Sequence, residues 1–532
     1  MNERTQTAGE RNVRTQIYTL DEMVQRMGEH VNRILRENLY ELRLNERQLH
    51  RLERQKKELR EHLLRCGVGD ALAKSYVLEF MQESLLRLFC LNENNIDRTF
   101  YFRDSAQNNP EYLFDRLLYL YKKEYGQAAM SHLIEDNRLL FGHGNEITDV
   151  QIREVFGRHG RPLSFVEKTE LLTWKVYSAY KGLGIIDELR DMYIDGVSGG
   201  VSGAEGDHHS VWIFYHGRSV HLSFLDFQTD RELERICRNI CRYEQPGELS
   251  RARGYLVHEM ADHSRVVVAR PDFAESWMFF VRKLDCGGRR SLAELFDQPG
   301  AELVISLLQW LMKGCVVVGI TGMQGCGKTT LLMALVESIP PEYTLRVLEL
   351  AFELHLRRWY PERNIVTFRE TATIDGWAGL ELQKKTDGAV SIIGEVASAR
   401  VAAWMVESGQ VGSLFTLFTH HAKTTRALIL SLRNSLLGEG SFSNEHVALE
   451  QVVQVVNFDV HLHLNREGRR YVERITQICD RPDLPEGYKL VDLIVYEDGG
   501  YRQLHRLDAE TRLRMERWMS EAERKEFRLA GI

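Results

Sequence analysis

A glycine-rich loop between an apolar strand and a helix is the feature that most restricts how this chain can fold. The loop is "GITGMQGCGKTT", from Gly319 to Thr330, with "CVVV" before it and "LLMALVESI" after it. It fits the pattern G-x-x-x-x-G-K-[ST], in which glycines turn backbone N–H groups inward around a phosphate. The helix that follows directs its positive end at the same point. The loop therefore predicts a nucleoside triphosphate site in an α/β core.

The residues of this loop predict separate parts of the site. We expect Lys328 to reach the β- and γ-phosphates and the hydroxyl of Thr329 to bind Mg²⁺. A glycine-rich turn without a ligand is the alternative, but it does not explain a strand before the loop and a helix after it. The residues predicted to surround the nucleotide phosphates are Gly322, Gly325, Cys326, Gly327, Lys328, Thr329 and Thr330.

Two strand-end carboxylates downstream predict a hydrolysis site. Glu395 ends the apolar run "SIIGE", and Glu349 lies in "RVLELAFEL". The carboxyl ends of parallel strands open onto the phosphate site, so both acids are expected to face Mg²⁺. Hydrolysis needs an acid that holds the metal, directly or through water, and one that orients the attacking water. A solvated acid at a strand end is the alternative for each residue.

A histidine pair follows another apolar strand, in "FTHHAKTT". His420 or His421 would lie at the same edge of the sheet, where a neutral imidazole can sense the γ-phosphate through a hydrogen bond. The alternative is a surface pair in a loop. The sequence pattern does not choose between the two residues.

The rest of the chain predicts further domains around this core. Residues 18–65 read as one long helix that either forms a short coiled coil or packs as an amphipathic helix on its own domain. The predicted domains are a long helical extension over 1–95, a small helical module over 96–165, an α+β domain over 166–290, the P-loop core over 291–480 and a tail over 481–532.

Composition excludes several classes of protein. A formal net charge of -7 over 532 residues disfavours a nucleic-acid binder, which usually carries a basic patch. No secretory signal and no apolar run long enough to span a bilayer is expected. The cysteines form no CxxC pair, which favours reduced thiols. The adjacent His208 and His209 suggest a metal site, but no carboxylate at a fitting spacing supports one.

Taken in order, these motifs resemble the motor ATPases of the type II/type IV secretion superfamily, most of all the CpaF-type branch associated with tight-adherence (Flp) pili. The four boxes of that family are matched by "GMQGCGKTT", "LELAFELHL", "SIIGEV" and "SGQVGSLFTLFTHHA". Upstream, "GLGIIDELRD", "ADHSRV" and "FFVRKL" are similar to the family's sensor domain. Downstream, "DVHLHLNREGRRYVERITQI" is similar to its closing strands. The resemblance spans residues from about 170 to 480.

The resemblance implies a RecA-like P-loop ATPase core with an α+β sensor domain before it, which hydrolyses ATP with Mg²⁺ as a homo-hexamer. It implies a cytoplasmic motor at the inner face of the cytoplasmic membrane that works with membrane platform proteins in pilus assembly or protein secretion. By position, the implied site residues are the catalytic Lys328, Glu395, Glu349 and His421, the further acid-box residue Glu353, and the sensor-domain arginine Arg282, which would reach the nucleotide.

The chain departs from the family pattern at several positions. Leu350 stands where the acid box usually has aspartate, and Gln410 stands where a histidine is often found. The arginines that usually neutralise the γ-phosphate are not obvious, with Arg363 and Arg369 as candidates. Loss of such a charge slows phosphoryl transfer by about 10³-fold or more. An ATP-binding scaffold or regulator with weak or no hydrolysis is therefore the alternative function.

Overall fold

The structure is a computed structural model of the chain, and it divides into two compact units, Met1–Cys286 and Gly287–Ile532. None of its described helices is both long and apolar enough to cross a membrane. The finer domain boundaries predicted inside the two units stay predictions. The structure describes residues 18–37, 45–103, 108–140, 144–203, 208–243, 249–283, 290–350, 352–371, 374–383, 385–440, 442–465 and 468–532.

The N-terminal unit combines helices with one sheet. Its helices, α1 to α9, are Leu20–Arg36, Glu46–Arg65, Ala71–Leu88, Pro110–Tyr125, Ala129–Asp136, Asp149–His159, Phe165–Tyr180, Asp187–Asp191 and Asp230–Ile240. Its strands, β1 to β7, are Glu146–Ile147, Gly196–Val201, Ser210–Tyr215, Arg218–Asp226, Tyr255–Glu259, Arg265–Ala269 and Met278–Arg282.

The single helix predicted over residues 18–65 is wrong, because the described residues hold two helices there. The second helix, α2, starts at a capping box in which Asn45 and Gln48 satisfy each other's backbone N–H groups. Met23, Met27 and Val31 of α1 are buried against other helices of the same unit. This packing favours an amphipathic helix on its own domain over a coiled coil.

The sheet of the N-terminal unit has the order β1-β4-β3-β2-β7-β6-β5. Only the short β1 runs parallel to its neighbour, and every other pair is antiparallel. Helix α9 connects β4 to β5. The α+β character predicted for this region follows from these antiparallel strands with helices beside them.

The C-terminal unit alternates strands and helices. Its strands, β8 to β16, are Val318–Gly322, Leu345–Glu349, Ile365–Arg369, Val390–Ile393, Phe415–His420, Phe458–Leu464, Arg470–Asp480, Tyr488–Glu497 and Gly500–Gln503. Its helices, α10 to α19, are Leu292–Leu295, Ala301–Lys313, Lys328–Leu335, Leu356–Trp359, Gly376–Gln383, Ala399–Val411, Thr425–Gly438, Glu445–Val455, Ala509–Glu516 and Glu521–Leu529.

The strands of this unit form one nine-stranded sheet with the order β10-β9-β11-β12-β8-β13-β14-β15-β16. The six strands from β10 to β13 are parallel, and β13 to β16 are antiparallel. Strands β8, β9 and β11 are buried along their whole length, as expected for parallel strands covered on both faces. The predicted α/β class with a RecA-like core is therefore confirmed.

The segment after residue 480, predicted as a tail, continues this sheet. Strand β15 pairs with β14, and β16 pairs with β15. Tyr488, Leu493 and Ile494 of β15 are buried in the core of the unit. The edge of β14 is thus covered by further strands, so the sheet extends beyond the boundary drawn from the sequence.

Candidate nucleotide site

The glycine loop lies between β8 and α12, at the carboxyl end of the parallel strands. Three of its glycines, Gly322, Gly325 and Gly327, have φ angles of +138°, +80° and +97°. Side chains rarely allow this left-handed region, so glycine at these positions lets the backbone fold around an anion. Gly327 is also the N-cap of α12 and exposes the positive end of that helix.

The first glycine of the loop also touches the neighbouring strand. A Cβ added at Gly322 would lie 2.3 Å from the carbonyl oxygen of Leu462 in β13 and 2.7 Å from Sγ of Cys326. The Cys326 side chain is buried, and burial raises the pKa of its thiol. Cys326 therefore fills space under the loop, while Gly322 permits a contact that no larger residue allows.

Lys328 is held by the backbone of its own loop. Its Nζ donates to the carbonyl oxygens of Gly322 at 3.1 Å and Met323 at 3.0 Å. The side chain is buried, with 8% of its surface exposed. Both contacts are to neutral carbonyls, and phosphate oxygens are stronger partners for an ammonium group. Lys328 therefore lies where its ammonium group can exchange these two carbonyls for the oxygens of a bound phosphate.

His421 stands between Lys328 and Glu395. Its Nδ1 lies 3.4 Å from Nζ of Lys328, and its Nε2 lies 3.2 Å from Oε1 of Glu395. Because a lysine ammonium only donates, Nδ1 is the acceptor and the imidazole proton sits on Nε2, where it can be donated to Glu395. The side chains of His421 and Glu395 are 47% and 36% exposed.

The order of the strands explains this row. Lys328 follows β8, His421 follows β12 and Glu395 follows β11, and these strands are neighbours in the order β11-β12-β8. Residues that follow adjacent parallel strands reach the same edge of the sheet. The structure thereby brings together three of the predicted catalytic residues.

His420 occupies a different environment from His421. Its Nδ1 lies 2.8 Å from the carbonyl oxygen of Val396, and its Nε2 lies 3.0 Å from Oγ of Ser431. The carbonyl can only accept, so Nδ1 carries the proton and Nε2 accepts from the serine. Burial lowers the pKa of His420 and keeps the ring neutral. His420 joins strands and helices of the core, whereas His421 faces the loop.

The predicted acid pair lines a small cleft beside this row. Glu349 and Glu395 both contribute to its wall, together with Glu370. Oε1 of Glu349 accepts the backbone N–H groups of Glu353 at 2.8 Å and Leu354 at 2.7 Å. Only 3% of the surface of Glu349 is exposed, so its carboxylate also shapes the turn after β9.

Glu370 is an acid that sequence reasoning missed. It directly follows β10, and its Oε1 accepts the N–H of Gly376 at 2.8 Å. The signal was present, because Glu370 is a strand-end acid in the same sense as Glu349 and Glu395. Leu350, which replaces the usual acid-box aspartate, also lines the cleft and is 36% exposed.

A buried polar network lies directly beneath the loop. The hydroxyl of Thr321, in β8, donates to Oδ1 of Asp459 at 2.6 Å and lies 2.8 Å from Nδ1 of His461. Oδ2 of Asp459 accepts from Thr425 at 2.6 Å. Because the hydroxyl proton of Thr321 goes to Asp459, Nδ1 of His461 donates to the hydroxyl oxygen.

Burial shifts the pKa of both ionisable members of this network. It raises the pKa of Asp459, which has no exposed surface, and lowers the pKa of His461 to about 4. These residues come from β8, β13 and the start of α16. Sequence reasoning missed the network, because only the pairing of β13 with β8 brings its members together.

The two candidate arginine fingers, Arg363 and Arg369, and a third arginine, Arg470, make different contacts. Arg363, a candidate arginine finger, donates through Nη1 to the carbonyl oxygen of Ile339 at 2.9 Å and through Nη2 to that of Pro340 at 3.0 Å. Arg369 lies over the ring of Phe352, 4.9 Å from its centroid. Arg470, missed from the sequence, donates through Nε to the carbonyl oxygen of Gly325 at 2.9 Å.

Thr329, Thr330 and Arg282 are the remaining residues predicted to bind the nucleotide. Thr329 lies half-buried and Thr330 lies exposed, both in the first turn of α12. Arg282 ends β7 of the N-terminal unit with an exposed side chain. The hydroxyl of Thr329 and the carboxylate of Glu395 are the hard oxygen donors that Mg²⁺ prefers, so the donor chemistry fits that ion.

Comparison with known proteins gives distant structural similarities. No protein-family model matches the chain, and no curated protein matches it. The chain is similar to the VirB11 ATPase of the Brucella suis type IV secretion system in complex with sulphate, with 18% identity over 54% of this chain and 89% of that chain, and a TM-score of 0.30.

Two further solved structures are similar at the same level. The Legionella pneumophila ATPase DotB has 13% identity over 55% of this chain and 78% of that chain, with a TM-score of 0.37. The pilus retraction motor PilT with bound ADP has 14% identity over 65% of this chain and 88% of that chain, with a TM-score of 0.39. Similarity at this level does not assign a function to the chain.

Proposed function

We propose that the C-terminal unit binds ATP with Mg²⁺ and hydrolyses it. The observation that carries this proposal is the row Lys328, His421 and Glu395 beside a loop whose glycines have positive φ angles. The row combines a cation for phosphate, an imidazole with a defined proton position and a partly exposed carboxylate. Phosphoryl transfer relies on such positioning and charge stabilisation more than on covalent chemistry.

Phosphate binding would rearrange this row in one step. When Lys328 leaves its two carbonyl partners for phosphate oxygens, Nδ1 of His421 loses its donor. The Nε2–H of His421 still points at Glu395, and its Nδ1 would need a proton before it could donate to a phosphate oxygen. Glu395 would orient the attacking water, and Thr329 with Glu395 would hold Mg²⁺, which neutralises charge on the phosphates.

We propose further that the chain is a motor for pilus assembly or protein secretion. It would work as a homo-hexamer with membrane platform proteins, at the inner face of the cytoplasmic membrane and without nucleic acid. The support is the sequence resemblance, in which four boxes and the flanking segments occur in the family's order. Arg282 of the N-terminal unit would supply a further cation to the nucleotide.

An ATP-binding scaffold with little hydrolysis is the second candidate function. Leu350 removes one acid from the expected acid box. The guanidinium of Arg363 is committed to backbone carbonyls, which argues against a role as an arginine finger. A site that lacks transition-state cations binds ATP well but turns it over slowly.

Phosphate release from Mg²⁺-ATP tests the enzyme proposal. We expect wild-type protein to release phosphate, Lys328→Ala to lose binding and turnover, and Glu395→Gln to keep binding while losing about 10²- to 10⁴-fold in rate. Lys423→Ala is the matched control, because it removes an exposed lysine two residues after His421. Turnover that survives both substitutions would contradict the proposed site.

Two further measurements separate the candidate functions. Tight ATP binding without phosphate release, even with a membrane platform present, would support the scaffold. Mass measurement with and without ATP tests the hexamer, and a chain that stays monomeric at all concentrations would rule out the ring.

A further inference from the structure

Two imidazoles and one carboxylate converge beside the start of β3 and the end of β4 in the seven-stranded sheet. His208 and His209 come directly before β3, and Asp230 is the first residue of α9. Nε2 of His208 and Nε2 of His209 lie 2.7 Å and 2.9 Å from the same atom, Oδ1 of Asp230. One ligand atom from each of the three residues lies within 4.8 Å of the others.

The fold holds both sides of this cluster. The N–H of Phe227, just after β4, donates to the carbonyl oxygen of His209 at 3.1 Å. Thr229 caps α9 by accepting the N–H of Glu232 at 3.2 Å, which fixes the start of the helix that carries Asp230. Because these contacts fix the backbone, the three side chains converge without a change in the sheet.

We propose that His208, His209 and Asp230 bind one divalent transition-metal ion of the Zn²⁺ class. Two imidazole nitrogens and one carboxylate oxygen are a known three-ligand set for such ions, and a water completes the tetrahedron. The side chains of His208 and Asp230 are 42% and 70% exposed, which leaves an open side for that water. This site is independent of the proposed ATPase function.

The ligand separations suit this ion after a small adjustment. Ligand atoms around tetrahedral zinc lie about 3.3 Å apart, because Zn–N and Zn–O bonds are about 2.0–2.1 Å long. The separations of 2.7 Å and 2.9 Å are those of N–H···O hydrogen bonds. Each ring nitrogen would retreat by about half an ångström, move its proton to Nδ1 and present its lone pair to the metal.

The competing interpretation is a hydrogen-bonded cluster that only ties α9 to the strand. The two interpretations differ in the amount of bound metal. Untagged full-length protein is dialysed against Zn²⁺ with a weak chelator, and its zinc is measured by elemental analysis. We expect wild-type protein to hold one zinc ion per chain more than Asp230→Asn or His208→Gln. Each substitution should weaken this site by about tenfold or more, as loss of an outer-shell partner already costs about 10–100-fold.

Glu234→Gln is the matched control. It lies on α9 and removes one negative charge, but its partner is Arg238, at 2.8 Å, and not the cluster. This variant should bind zinc like wild-type protein. Cysteines elsewhere in the chain are identical in all variants, so zinc bound to them cancels in the difference.

The thermal midpoint with and without Zn²⁺ gives a second readout. A ligand that binds the native state raises the midpoint. Zinc should therefore raise it more in wild-type protein and Glu234→Gln than in the two site variants. Because these substitutions lie on different segments, a folding defect in one leaves the other as a test. Equal zinc content and equal shifts in all variants would overturn the proposal and leave a hydrogen-bonded cluster.

Discussion

The open edge of the nine-stranded sheet and the polar network beneath it use similar side chains in opposite ways. At the edge, Lys328 and Glu395 meet through His421 over distances of 3.4 Å and 3.2 Å. Beneath the loop, Asp459 accepts two hydroxyl groups at 2.6 Å each and has no exposed surface. Both regions contain a carboxylate and an imidazole, but only the first is accessible to solvent.

This difference separates residues that can exchange partners from residues that cannot. The contact between His421 and Glu395 is long and partly solvated, so these two side chains can move at small cost. The buried hydroxyls and carboxylate lose about 1–3 kcal/mol for each partner removed, because water cannot replace it. We therefore expect the edge to determine activity and the buried network to determine stability.

The largest expected effect comes from removing one carboxylate from each region. Asp459→Ala leaves the hydroxyls of Thr321 and Thr425 without their acceptor, so we expect a loss of about 2–5 kcal/mol in the free energy of unfolding. Glu395→Ala should change that free energy by less than about 0.5 kcal/mol. Urea unfolding of the C-terminal unit in the full chain measures both changes in the free energy of unfolding. Equal losses would contradict the inference that the buried network, and not the edge, determines stability.

A pH titration tests the buried imidazole. Burial lowers the pKa of His461 from its usual 6.5 to about 4, so below pH 6.5 the unfolded chain takes up a proton that the folded chain refuses. Stability should therefore fall by about 3 kcal/mol between pH 6.5 and 4 on account of this residue. His461→Gln should lack that part of the decline. Asp459, whose raised pKa acts in the opposite direction, is present in both proteins, so parallel curves would contradict the assignment.

The two adjacent histidines give a paired test. We expect His421→Ala to lower ATP hydrolysis by about 10²-fold with little change in stability, because its contacts lie at the open edge. His420→Ala should instead cost about 1–3 kcal/mol of stability, since Val396 and Ser431 lose a buried partner. Phosphate release corrected for the folded fraction, together with urea midpoints, separates these outcomes. Reversed effects would exchange the roles of the two residues.

The smallest expected effect concerns Arg470. This exposed arginine lies against the carbonyl of Gly325 in the proposed phosphate loop, so its charge would act on a bound phosphate but would be screened by solvent. Arg470→Ala should weaken ATP binding by about 3- to 10-fold, measured by titration with a labelled nucleotide. Arg469→Ala is the adjacent control and should bind normally. Equal weakening in both would indicate a general loss of positive charge.

Local patterns were enough to predict that Lys328, Glu395 and the histidine pair each follow a strand of the sheet. Strands β8, β9 and β11 are short apolar runs, and each ends beside a glycine or an acid. Parallel strands place those ends at one edge, so the approach of Lys328 and Glu395 to the same histidine, His421, follows from sequence and topology together. Strands β13 and β14 pair antiparallel within the segment that resembles the family's closing strands.

Contacts between distant segments were not predictable from such patterns. Thr321 and Asp459 are 138 positions apart, and the two motifs that contain them do not indicate that their side chains meet. Asp230 follows His208 by 22 positions, and only the approach of α9 to the start of β3 makes it a partner. The break between α1 and α2 was missed because leucines at regular spacing continue on both sides of Asn45.

The contact between Gly322 and Leu462 has a practical consequence. The pairing of β13 with β14 shifts register between His461 and Leu462, so the carbonyl that touches the loop sits at an irregular point of the hairpin. No side chain separates the two backbones. A spectroscopic label beside the hairpin turn, for example on Arg469→Cys, whose side chain is exposed, would therefore report on the shape of the loop from a position that leaves the nucleotide residues unmodified.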